Sequence, residues 1–76
     1  MNKITVDKKL IKRLKPFLQA YLLYEQKYSA ELYKLETNMS EITGIIDMEF
    51  IFWDNEFVGI GNADRTMRLI HREELE

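Results

Sequence analysis

Residues 48–62 read MEFIFWDNEFVGIGN and hold the densest set of strong apolar side chains in the chain. A strand alternates its side chains between two faces. On that period Ile46, Met48, Phe50 and Phe52 fall on one side, and Asp47, Glu49, Ile51 and Trp53 on the other. Asp54-Asn55 suits a two-residue hairpin turn because both residue types tolerate positive φ. This predicts strands over about 45–53 and 56–60, with Phe52 opposite Phe57, Ile51 opposite Val58, and Phe50 opposite Gly59. Met48, Phe50, Phe52 and Phe57 then share a dry face with Gly59 and Gly61, while Ile51, Trp53, Val58 and Ile60 share the other with Glu49 and Glu56. A lone two-stranded hairpin is marginal in water, so both apolar faces need a cover.

Upstream, the period changes. Asp7 is a good N-cap, and Leu10, Leu14, Phe17, Tyr21, Tyr24, Tyr28 and Leu35 follow in one heptad phase. Ile11, Leu18, Leu22 and Leu32 widen the stripe. Pro16 removes an interior hydrogen bond but leaves the phase unchanged, which predicts one Pro16-kinked helix, or two nearly collinear ones, over about 7–37. Such a helix would be roughly 46 Å long, against a diameter of roughly 30 Å for a compact chain of this size. Either the helix bends sharply or a second copy of the chain covers the surplus stripe. Asn38–Gly44 (NMSEITG) reads as a polar connector.

Downstream, NADRTMRLIHREELE alternates poorly as a strand. As a helix over about 63–74, capped by Asn62, it groups Ala63, Thr66, Met67, Leu69 and Ile70 on one arc and Arg65, Arg68 and Arg72 opposite. The expected architecture is α+β: a long N-terminal helix, a β-hairpin and a short C-terminal helix, in one small domain spanning 1–76. The two helices are expected to cover the hairpin's two faces.

Seventy-six residues bury only roughly 60% of the surface their unfolded form exposes, so stability should be marginal. The absence of cysteine excludes a disulfide framework and a thiolate zinc site. No apolar run approaches the length of a membrane span or of a signal-peptide core. These features lead to the expectation of a cytoplasmic protein with no membrane partner. The net charge of −2 conceals an asymmetry: residues 1–15 carry +5 from Lys3, Lys8, Lys9, Lys12, Arg13 and Lys15 against Asp7, leaving −7 on the remainder. Most such basic helical segments are solvated faces, but some contact nucleic acid or acidic proteins.

Candidate chemistry is sparse. Ser29 and Ser40 are far in sequence from the single histidine, so no nucleophile–base pair can be named. A histidine such as His71, near a C-terminal helix end, is commonly a surface or dipole partner. Asp47, Glu49, Asp54 and Glu56 match no calcium loop, and charge on an edge strand discourages edge-to-edge pairing. GIGN (59–62) lacks the remaining residues of a phosphate loop. No catalytic, metal or cofactor site is expected, and no small-molecule substrate is indicated. Tyr21, Tyr24 and Tyr28 lie on the heptad stripe, as core or subunit interface residues would. Trp53 at the hairpin tip suits a partner contact, since tryptophan is enriched at binding hot spots.

These residues point to a non-enzymatic interaction module, a small bacterial or phage-type accessory protein that binds another macromolecule as a homodimer, with a second copy and a protein partner expected at Trp53, Tyr21, Tyr24 and Tyr28. The rival expectation is a nucleic-acid-binding regulator. It would use Lys8, Lys9, Lys12, Arg13 and Lys15, joined by the stripe of Arg65, Arg68 and Arg72, although Glu73, Glu74 and Glu76 stand directly beside that stripe.

Overall fold

A computed structural model describes residues 3–24 and 29–76, with the backbone alone for Tyr24 and Ser29. The order is α1 (Lys8–Tyr24), α2 (Ser29–Thr43), β1 (Met48–Trp53), β2 (Glu56–Asn62), β3 (Ile70–His71) and α3 (Arg72–Leu75). The fold is α+β, with an antiparallel sheet in the order β1-β2-β3. The body measures 34 × 25 × 22 Å.

The Asp7 carboxylate accepts the Leu10 N–H at 2.9 Å, as an N-cap should. α1 runs through Pro16, which is exposed, so the Lys12 carbonyl it leaves unbonded can turn toward water. Leu14, Phe17, Leu18 and Tyr21 are buried as the stripe requires. The span read as one helix over 7–37 carries α1 and most of α2. Two helices occupy its place and pack against each other, which removes the excess length, since 46 Å would overrun the 34 Å body. α1 continues through Pro16 to Tyr24, and residues 25–28 lie outside the described residues. Of the described stripe residues, Leu10, Ile11, Leu32 and Leu35 are partly buried against the core and Leu22 stays exposed.

Asn38–Thr43 is helix, not connector. Met39 is fully buried, and α2 ends where Gly44, at φ 73°, donates its N–H to the Ser40 carbonyl at 2.9 Å.

Asp54 and Asn55 both have positive φ, 51° and 66°, and form the expected two-residue turn. Phe52 faces Phe57, but an irregularity between Ile51 and Phe52 shifts the register, pairing Ile51 with Gly59 and Phe50 with Ile60. A β-bulge moves every later residue to the other face. Ile60 thus joins Met48, Phe50 and Phe57 in the core, and the glycines lie on the outer face beside Ile51. Phe52 is only partly buried. Gly59 is needed for close approach by β3: a Cβ there would fall on the Ile70 carbonyl oxygen.

The helix expected over 63–74 exists only as its last turn, α3. Asn62 is buried and closes a loop instead, donating from Nδ2 to Thr66 Oγ1 at 2.7 Å and accepting the Met67 N–H at 3.0 Å. Thr66 in turn donates its hydroxyl to Asp64 at 2.7 Å. Such side-chain bonds compete with helix formation, and Arg65 sits at φ 58°. The released segment pairs with neighbouring strands: Ile70 with Ile60, and Met67 with Ile4 in a parallel bridge. α3 lies on the same side of the sheet as α1, because Leu75 belongs to the common core. The outer face of the sheet is bordered by the loop of residues 63–69 rather than covered by a helix.

Candidate protein interaction surface

Two residues per strand advance about 6.7 Å and four per helix about 6 Å, so a helix alongside a strand can match alternate strand residues one turn at a time. α2 uses this match along the free edge of β1. Ser40 Oγ accepts the Met48 N–H at 2.9 Å, and one turn earlier Glu36 Oε2 accepts the Phe50 N–H at 2.8 Å. Thr43 fixes the junction, donating to the Met39 carbonyl at 2.6 Å and accepting the Ile45 N–H at 3.2 Å. Side-chain acceptors thus close an edge that would otherwise be open to strand addition.

Beside this seam lies an open groove of about 690 Å³, lined among others by Tyr33, Glu36, Glu41, Ile46, Asp47 and Glu49. Tyr33 and Ile46 are each 70% exposed. Burial pushes the Glu36 carboxyl above the ordinary glutamate range; the Phe50 N–H opposes this and the nearby Glu49 charge adds to it. A second hollow of about 570 Å³ on the outer sheet face includes Ile51, Trp53, Arg65 and Arg68. Glu49 and Ala63 border both hollows, so the two form one surface wrapped around β1.

The residues expected to meet a partner are placed differently from one another. Trp53 ends β1 and is 58% exposed. Tyr21 is a core residue, its ring stacked on Phe50 at 5.1 Å and tilted against Phe57 at 4.5 Å. Tyr28 and the Tyr24 side chain lie outside the described residues.

The basic groups divide in the same way. Lys8, Lys9, Lys12, Arg13 and Lys15 are exposed on α1. Arg65, Arg68 and Arg72 do not share a helix face, since only Arg72 is helical. Arg68 forms a two-pronged pair with Glu74 at 2.8 and 2.9 Å. Glu74 also accepts the His71 N–H, and with Arg68 as the larger cause its pKa falls to about 2. Arg72 pairs with Glu76 at 3.2 Å and lies 5.6 Å from the Phe57 ring centre.

The surface residues missed from sequence are Glu36, Ser40 and Ile46. Glu36 and Ser40 stand four apart, a spacing that marks one helix face, but only the packed strand reveals what that face meets. Comparisons with protein-family models, curated proteins and solved structures give no match. Among the described residues, no helix is long and apolar enough to cross a membrane, and no group of three or more acidic or histidine side chains could hold a metal ion.

Proposed function

We propose that this chain is a non-enzymatic interaction module, working in the cytoplasm, that binds another protein through the surface around β1 and self-associates. The observation that carries this reading is the exposure of Tyr33 and Ile46 in one groove. Covering a large apolar side chain contributes about 1.5–3 kcal/mol, and the chain leaves both uncovered where carboxylates rim the site. Trp53 extends the same surface past Glu49. Because Glu36 and Ser40 occupy the β1 edge, a partner would engage side chains rather than add a strand.

The test compares immobilised wild-type chain with a Tyr33→Ser/Ile46→Ser variant in an extract of the native host. Both positions are exposed, so the variant should fold. Proteins retained by the wild type and lost from the variant support the reading. An identical retained set from both overturns it.

A second reading, a nucleic-acid-binding regulator, draws support from the five exposed basic groups of α1, none of which has an ion-pair partner among the described residues. Arg68 and Arg72 support it less, being held by Glu74 and Glu76. Phosphate contacts would give a log–log salt slope near −0.9 per contact on duplex DNA. A Lys8→Ala/Lys9→Ala/Lys12→Ala variant should flatten that slope, and absence of binding at low salt removes this reading.

A further inference from the structure

The β1 groove and the first half of α1 carry opposite charge. Glu36, Glu41, Asp47 and Glu49 line the groove, while Lys8, Lys9, Lys12, Arg13 and Lys15 are exposed on the helix. No ion pair joins the two sets among the described residues.

β1 is one edge of the sheet, whereas the segment leading into α1 pairs with the 63–69 loop, where Ile4 donates its N–H to the Thr66 carbonyl at 2.7 Å and bridges to Met67.

We infer that the groove receives the basic face of α1 from a second copy of this chain. This deepens the interaction-module reading and rests on it. The chemistry of the two surfaces matches in both parts. A lysine has an apolar stem and a charged head, which suits a groove with Tyr33 and Ile46 exposed inside a carboxylate rim. The Tyr33 ring offers an ammonium group a further attraction. Glu36, Glu41, Asp47 and Glu49 share the groove with no cation paired to any of them among the described residues. Two copies can exchange these contacts reciprocally, so that each basic face fills the other's groove and the pair closes.

The test is the solution mass of the full chain by light scattering. At low salt, about 50 mM, and high protein concentration the wild type should approach twice its 9.1 kDa chain mass, returning toward 9.1 kDa at about 500 mM salt, where screening is short-ranged. Lys8→Glu/Lys9→Glu/Lys12→Glu and Glu41→Lys/Glu49→Lys should each stay monomeric at low salt. Acidic residues suit a first helical turn, and circular dichroism verifies that both variants fold. An equimolar mixture of the two should recover the double mass, because one opposite-charge contact is restored in reversed form. A wild type at 9.1 kDa under every condition overturns the inference, as does a dimer that neither variant disturbs. If that happens while Tyr33 and Ile46 still govern what the chain retains from extract, the second-copy inference falls, and binding to another protein through the β1 surface stands. If that dependence is also absent, the interaction-module reading falls with it.

Discussion

The Glu36 carboxylate, on α2, accepts the backbone N–H of Phe50, on β1, at 2.8 Å. With the Ser40–Met48 bond one helical turn away, it converts a free strand edge into a seam between helix and strand. Removing the acceptor should expose what it hides. Glu36→Ala leaves the Phe50 N–H without its partner and should destabilise the chain by about 1–3 kcal/mol. Glu36→Gln keeps an acceptor without a half-buried charge and should lose less. Urea unfolding gives both values, and amide exchange at Phe50 should accelerate only in the alanine variant. Equal losses would show that the hydrogen bond is not what matters.

Acid should act on two glutamates with opposite sign. Burial raises the folded-state pKa of Glu36, so the folded state takes up its proton more readily than the unfolded chain, and stability should rise as pH falls through that value. Glu74 is lowered to about 2 by Arg68 and the His71 N–H, so its contribution is complete above the ordinary glutamate pKa and is lost as pH falls toward 2. The pair is largely solvated, so its share should be small. Denaturation from pH 7 to pH 2 should therefore show a small rise followed by a fall. Glu36→Gln should remove the rise and Arg68→Ala should reduce the fall.

Core substitutions should separate two phenylalanines that the sequence alone treats alike. Phe50 is 4% exposed and stacks on Tyr21, so Phe50→Ala should destabilise by about 3–5 kcal/mol, enough to unfold a marginal domain. Phe52 is only partly buried, and Phe52→Ala should show a clearly smaller loss. Equal losses in chemical denaturation would contradict the difference in burial between the two rings.

The glycines offer a sharper contrast. A Cβ at Gly59 would strike the Ile70 carbonyl, so Gly59→Ala should destabilise by about 1–3 kcal/mol through overpacking and weaken β3 pairing. A Cβ at Gly61 would sit 3.5 Å from Ile51 Cγ1, ordinary contact, and Gly61→Ala should lose far less. Thermal melts of the two variants check the ordering.

Local chemistry made part of this fold legible. The Asp7 cap, the Leu14–Phe17–Tyr21 stripe and the Asp54-Asn55 turn each depend on residues within one or two turns of chain. The features that escaped depend on distant backbone. The bulge that brings Ile60 into the core is a shift of one residue, and Gly59's role is visible only beside Ile70. Asn62 resembles a helix cap until its amide is seen holding Thr66 and Met67 in a loop. Met39 was hidden among polar neighbours, of which Ser40 and Thr43 turn inward to make bonds. The candidate surface was legible at Trp53 and at the basic face of α1. The groove was not, since Tyr33 and Ile46 come together only when α2 lies along β1.

The most direct test of the β1 surface is an amide chemical-shift map of uniformly labelled chain, recorded as protein concentration rises at about 50 mM salt and repeated at about 500 mM. The account predicts concentration-dependent shifts at Tyr33, Glu41, Ile46 and Glu49 together with Lys8, Lys9 and Lys12, both sets vanishing at high salt. Shifts confined to α1 with the groove silent, or no shifts at any concentration, would contradict it.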